Sequence, residues 1–215
     1  FVSCANAFAL RGARPVFVDI RSDTFCLDES LVEAAITDRT RAIVVVHYAG
    51  VGCDMTAIVK IADRHGLALV EDNAHGFGGK YLGQPLGTFG DLATLSFHET
   101  KNIQCGEGGA LLVNDERLLE RAEIVQEKGT NRSRFFRGQI DKYTWVALGS
   151  SYVASDLPAA FLTAQLEAFD SIHAQRMHVW QTYDLALRVW ADSAGFAMQQ
   201  IPTEASHPAH LFALL

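Results

Sequence analysis

The sequence predicts an α/β protein, with a mainly parallel sheet flanked by helices and a smaller C-terminal domain entered through a long helix. Three observations predict it. Short apolar, β-rich runs recur along the first half of the chain, amphipathic segments with readable start and stop residues lie between them, and one long apolar-periodic segment begins near residue 156. The 215 residues, 49% hydrophobic and 20% charged, can bury one large core or a core and a half.

Strands are expected at Pro15–Asp19 (PVFVD), Ala42–Val46 (AIVVV), Leu67–Val70 (LALV), Ala93–Phe97 and Ala110–Val113. Each is short and bounded by polar residues or glycine, as buried strands are. Asp28 can cap a helical segment through Ile36, and Asp54 can cap Met55–His65, which Gly66 ends at the left-handed position. Asn114 opens another helix, closed by Gly129. Residues 131–155 (NRSRFFRGQIDKYTWVALGSSYVAS) mix charge, aromatics and glycine without a clear period and read as a long ordered loop, a kind of segment that is often functional. Ser155 or Asp156 then caps a helix with Pro158 in its first turn and apolar residues at Leu162, Leu166, Phe169 and Ile172, continuing toward Trp190. The expected division is therefore a large ligand-binding domain over 1–155 and a linking helix with the start of a small domain over 156–215. The chain opens on Phe1 as though mid-domain and ends on AHLFALL, which reads as a strand beginning, so a piece of a longer protein is expected. No internal repeats or low-complexity segments occur.

Composition excludes several functions. A formal net charge of −7 argues against nucleic acid or another polyanion as the main partner, because such proteins gather a basic excess on one face. Cys4, Cys26, Cys53 and Cys105 are far apart and form no CxxC pair; they are expected to be reduced, buried thiols of a cytoplasmic protein. Neither a charged-then-apolar leader nor an apolar run of 18 residues is present.

Two residues carry the chemistry. Lys101, one of five lysines, follows a predicted buried strand by a few residues and precedes CGEGGA, whose Gly106, Gly108 and Gly109 permit tight turns and close backbone approach to a ligand. A solvated surface lysine is the alternative. A lysine held partly desolvated loses basicity and becomes a usable amine nucleophile. In LALVEDNAH a strand runs into Glu71 and Asp72, and alternation lets only one of these carboxylates face a given site. Asp72 sits where an α/β protein places a carboxylate to read a ligand, and His75 can reach the same ligand; a cap and a satisfied structural histidine are the alternatives. A strand-end aspartate with a strand-end lysine suits pyridoxal phosphate (PLP), which needs an amine for its aldehyde and a carboxylate to keep its ring nitrogen protonated.

VEDNAH (Val70–His75), SFHETKN (Ser96–Asn102) and GEGGA (Gly106–Ala110) resemble the signature of the DegT/DnrJ/EryC1/StrS sugar aminotransferases, PLP enzymes of the aspartate-aminotransferase (type I) fold. VVHYAG (Val45–Gly50) resembles another family stretch, usually PVHYAG, and Glu127–Tyr152 resembles the dTDP-4-amino-4,6-dideoxygalactose transaminase branch. The resemblance spans nearly the whole chain. It implies that Lys101 is the Schiff-base lysine, that Asp72 partners the pyridinium nitrogen, that His75 approaches the phenolic oxygen, that Ser96 bonds the phosphate and that Phe1 stacks on the ring. It also implies L-glutamate as amino donor, a dTDP-linked 4-keto-6-deoxyhexose as acceptor, and a homodimer with sites at its interface. Arg132, Arg134, Arg137 and Lys142 are candidates for the substrate diphosphate, since arginine suits forked phosphate contacts; a solvated basic loop is the alternative. Three departures stand out, the first being that the C-terminal part of the family's small domain would lie downstream of residue 215. The family's phosphate-cradling loop would lie upstream of residue 1, and Val153 stands where some relatives place an asparagine that reaches across the dimer.

Rival readings are a family dehydratase, which carries histidine at the lysine position and directs attention to His98; a 3-amino sugar transaminase; a non-catalytic interaction module; and a nucleotide-binding dehydrogenase, for which no GxGxxG follows a strand and opens a helix. Metal binding through HPAH (His207–His210) is a weak option, because no acidic or thiol partner lies nearby in sequence.

Overall fold

A computed structural model describes residues 1–215. In chain order the elements are helices α1 (Val2–Ala9) and α2 (Glu29–Val32), strand β1 (Ala42–Val46), α3 (Met55–His65), β2 (Ala68–Asp72), β3 (Lys80–Tyr81), β4 (Gln84–Pro85), β5 (Leu92–Ser96), β6 (Gly109–Val113), α4 (Leu119–Gln126), α5 (Arg132–Phe136), α6 (Asp156–Glu167), α7 (Phe169–Ala194) and β7 (Ala205–Ser206).

The main sheet runs β1-β2-β5-β6. β1, β2 and β5 are parallel, with Val46 opposite Asp72 and Asp72 opposite Thr94. β6 returns antiparallel, so Gly109 lies beside Ser96. Alternation along β1 and β2 buries Ile43, Val45, Leu69 and Glu71 on one face. The apolar side chains of that face pack with Met55, Ile58, Ile61 and Ala62 of α3 into the principal core. α3 is sharply bounded: Asp54 accepts from the Ala57 amide at 3.0 Å, and Gly66 ends the helix at φ 61°. α2 is capped as its sequence predicts, Asp28 accepting from the Ser30 amide, and a 3₁₀ turn carries it through Ala35.

A second, three-stranded sheet runs β4-β3-β7. Its hairpin turns through Leu82 and Gly83, both at positive φ. β7 pairs with β3 across more than 120 positions of sequence, Lys80 opposite Ser206 and Tyr81 opposite Ala205. That pairing delivers residues 207–210 to the carboxyl end of the main sheet.

Several expectations need correction. Pro15–Asp19 forms no strand; it has no neighbouring strand to pair with, and Val16 and Phe17 remain exposed. The helix before Gly129 is capped by Asp115 rather than Asn114, because the Asn114 amide is committed to the carbonyls of Gly87 and Gly90. It ends at Gln126. The 131–155 segment contains α5. The long helix beyond Ser155 is interrupted at Ala168, whose φ −92° and ψ 8° leave helical geometry, so α6 and α7 are separate. The final residues form a single bridge, Met198 to Leu214, and no strand. Cys26 and Cys53 are buried, but Cys4 and Cys105 are half-exposed.

One buried network ties the sheet to the loop after β4. Glu71 has no solvent exposure and accepts hydrogen bonds from the amides of Gly87 (2.8 Å), Phe89 (2.7 Å) and Gly90 (2.7 Å), with His47 Nε2 at 2.9 Å. His47 Nδ1 accepts from the Cys53 amide, so Nε2 carries the proton that it donates to Glu71. Burial alone would push the Glu71 carboxyl up, but the bonds from His47, Gly90 and Gly87 hold it below its ordinary value. Glu71→Ala would orphan all four donors, and urea unfolding is expected to show a loss of about 3–5 kcal/mol.

Candidate active site

The carboxyl ends of β2 and β5 meet at one edge of the main sheet. Asp72 is the last residue of β2. Because Glu71 turns into the core, alternation sends Asp72 to the opposite face, where Oδ1 accepts from the Ala74 amide at 3.2 Å. β5 ends at Ser96, and the turn from His98 to Gly106 carries Lys101 back over the same edge. Gly106 adopts φ +82°, which favours glycine, and its amide is satisfied by Gln104 Oε1.

Lys101 lines a small cavity with Ala74, His75, Phe77, Ser96, Asn102, Ile103 and His210. Burial pulls the Lys101 amine below the ordinary lysine value, while the Asp72 carboxylate pushes it the other way. No hydrogen bond contributes to that balance. The result is an amine that is less basic than usual, close enough to feel Asp72 and not consumed by an ion pair. His75 accepts the Ala49 amide on Nδ1 at 3.3 Å, and burial, reinforced by Lys101, pushes its pKa down to about 4. It is therefore a neutral ring at pH 7, and its proton resides on Nε2. A larger hollow of about 500 Å³, lined by Glu33, Thr37, Asp38, Arg41 and His65 among others, lies at the amino ends of β1 and β2, away from these residues.

The structure thus brings together Lys101, Asp72, His75 and Ser96. Ser96 lines the cavity, and its Oγ accepts the His98 amide at 3.4 Å. Phe1 stands at the start of α1 and is 95% exposed. The arginines lie elsewhere. Arg132 and Arg134 of α5 and Arg137 just beyond it pair with Glu127, Glu120 and Glu123, docking α5 against α4 and the residue that follows it. His98 is engaged by Thr100 Oγ1 at 2.8 Å and lies 3.6 Å from Glu107, outside the cavity lining.

Sequence reasoning missed three neighbours. Cys4 of α1 approaches Asp72, and burial together with that carboxylate pushes its thiol up to about 11. Asn102 and His210 are bonded to one another at 2.8 Å although 108 positions separate them. The HPAH run does not assemble a metal site: His207 packs on Trp180, His210 stacks on His75, and no group of three or more His, Cys, Asp or Glu side chains is placed to hold an ion. The only local sign of these roles was the unusual density of histidine in that run.

The mainly parallel sheet carries a partly desolvated lysine and an aspartate at its carboxyl edge, and its fold is that of PLP-dependent aminotransferases. The profile of the DegT/DnrJ/EryC1/StrS aminotransferase family matches residues 1–215, and the chain belongs to that family. It is 34% identical over 218 residues to MJ1066, an uncharacterized protein of Methanocaldococcus jannaschii, covering 100% of this chain and 56% of that protein. Among solved structures it resembles Helicobacter pylori PseC, an aminotransferase involved in the biosynthesis of pseudoaminic acid (29% identity, TM-score 0.88, 100% of this chain and 56% of PseC). It also resembles Spr1654 of Streptococcus pneumoniae, assigned as a sugar aminotransferase and solved in a PLP form (26% identity, TM-score 0.85, 100% of this chain and 57% of Spr1654). The chain spans about half the length of the relatives it matches.

The opposed influences on Lys101 can be measured. In pH-dependent reductive methylation of the full-length protein, Lys101 is expected to half-titrate below the ordinary lysine value, and Asp72→Asn, which removes the carboxylate that raises it, should move the midpoint lower still. A midpoint that rises in Asp72→Asn would contradict the assignment.

Proposed function

We propose that the full-length protein transfers an amino group from L-glutamate to the 4-keto group of a dTDP-linked 6-deoxyhexose, giving dTDP-4-amino-4,6-dideoxygalactose or a close 4-amino sugar and 2-oxoglutarate, with PLP as cofactor. The observation that carries this reading is the convergence of Lys101 and Asp72 at the ends of β5 and β2, with the lysine amine unpaired and depressed by burial. The donor set fits the cofactor: an amine for the aldehyde, a carboxylate for the ring nitrogen, an N–H on His75 for the phenolic oxygen and a hydroxyl on Ser96 for the phosphate. When bound, PLP supplies an electron sink for the carbanion character that develops on the amino donor.

Lys101 Nζ would hold the cofactor through its aldehyde and, as a free amine, would be the base that removes the donor's α-proton. In the second half of the cycle Lys101 returns a proton to the sugar carbon, C4, that receives the amino group. Asp72 keeps a positive charge on the ring nitrogen by offering a fixed negative one. His75, neutral with its proton on Nε2, donates a hydrogen bond without adding a second cation beside Lys101. The Phe1 ring, exposed and unpacked, is available to stack.

The choice of a nucleotide sugar and of C4 rests on family membership and on the likeness of Glu127–Tyr152 to one branch. Any contact of Arg132, Arg134 or Arg137 with a diphosphate requires exchange of their present glutamate partners, an inexpensive step because solvent-screened exposed ion pairs add little to stability. A homodimer is part of the same reading. Supporting it, Trp145, Leu148, Tyr152, Val153, Leu157 and Phe161 are exposed over a short stretch of sequence.

The test is a half-reaction. Cofactor-loaded full-length protein mixed with L-glutamate should release 2-oxoglutarate stoichiometrically, and Lys101→Ala should slow this by about 10³-fold or more, a loss expected when the anchoring and proton-transfer roles go together. Turnover should then follow on adding a dTDP-4-keto-6-deoxyhexose. Undiminished 2-oxoglutarate release by Lys101→Ala, or none by the intact folded protein, would sink the reading.

A further inference from the structure

The segment that follows β7 is seated on the catalytic edge by a set of contacts that the transaminase reading does not use. Asn102, next to Lys101, donates Nδ2–H to the Pro208 carbonyl at 2.6 Å, and its Oδ1 lies 2.8 Å from His210 Nδ1. Arg176 of α7 donates to the Ala209 and His210 carbonyls at 3.3 and 3.1 Å. Gly50, at φ +84°, leaves the room for this docking: a Cβ there would stand 2.6 Å from Pro208 Cγ and 2.7 Å from the His75 carbonyl oxygen. His210 is buried, and its ring stacks on His75 with centroids 4.2 Å apart and planes 29° from parallel. Tyr48 meets the same imidazole edge-on at 6.0 Å.

Hydrogen bonding assigns the protons of both rings. Because the Asn102 amide nitrogen is committed to Pro208, its oxygen faces His210, and His210 Nδ1 must donate. His75 is the converse, since its Nδ1 accepts the Ala49 amide.

We propose that His210 is a positioning residue for His75: docked through Asn102, its ring clamps the His75 imidazole against Tyr48 and fixes the direction in which His75 Nε2–H is offered beside Lys101. The purpose of that N–H rests on the transaminase reading; the clamp does not. The charged and titratable groups facing His75 are Lys101, Asp72, His210 and Tyr48, and those facing His210 are His75, Lys101 and Arg176. Burial first, then His75, Lys101 and Arg176, pushes His210 down to about 3. With both rings neutral, the stack carries no charge repulsion. Removing the His210 ring opens one face of His75 to water, and the proton affinity of His75 must then rise toward that of an ordinary histidine.

The experiment is histidine-selective ¹⁵N and ¹³C NMR of the cofactor-free full-length protein between pH 5 and 8, with the His75 signal assigned by its loss in His75→Gln. In the unaltered protein His75 should remain neutral with its proton on Nε2 throughout. In His210→Ala its proton affinity should rise about tenfold or more and both tautomers should appear. His210→Phe, which keeps a flat ring for stacking, should restore most of the original behaviour, a rescue that loss of bulk folding would not permit. Asn102→Ala, which releases Pro208 and His210 together, should act in the same direction as His210→Ala and carries the test if His210→Ala fails to fold, as judged by loss of the buried His47 signal. An unchanged His75 titration in a folded His210→Ala or Asn102→Ala protein would overturn the clamp, as would a His75 that titrates near 6.5 in the unaltered protein. With no cofactor present, this result stands apart from whether Lys101 carries one.

Discussion

The Glu71 carboxylate is sealed from water at the centre of the sheet, where an ionised group survives only if each oxygen is met by donors. It is met by three backbone amides from the 87–90 turn and by the Nε2–H of His47 at the end of β1. That single side chain therefore holds β1, β2 and the loop leading into β5 in one arrangement. Its neighbour Asp72 has no freedom left: with Glu71 fixed in the core, alternation commits Asp72 to the opposite face. The aspartate's placement against Lys101 is thus a consequence of a buried interaction one residue away.

The second constraint is electrostatic. Lys101 gains nucleophilicity from burial, and a fixed carboxylate nearby would cancel much of that gain if the two were joined as an ion pair. They are not. Asp72 is held by the Ala74 amide, close enough to raise the basicity of Lys101 but without a bond to it. The imidazoles of His75 and His210 in the cavity are neutral, so they add no further positive charge beside Lys101.

Much of this was legible in the sequence because it follows local periodicity. β1 was read to the residue, and α3 announced both its ends through Asp54 and Gly66. Alternation showed that Glu71 and Asp72 face opposite sides of the sheet, and the burial of Glu71 then leaves Asp72 on the Lys101 side. The failures have a common physical cause, partners remote in sequence. Pro15–Asp19 has the composition of a strand but no neighbouring strand. Asn114 looks like a cap yet bonds to Gly87 and Gly90. His210 reaches Lys101's loop only because β7 pairs with β3, a long-range pairing of two residues that no window of sequence reveals.

A single covalent bond, between Lys101 and the cofactor aldehyde, would define this site. Borohydride reduction of the full-length protein incubated with pyridoxal phosphate, followed by peptide mass spectrometry, locates any pyridoxyl group directly. The predicted result is a single modification on Lys101 that Lys101→Ala abolishes; a folded protein carrying no modification there, or carrying it on another lysine, would contradict the assignment of this site.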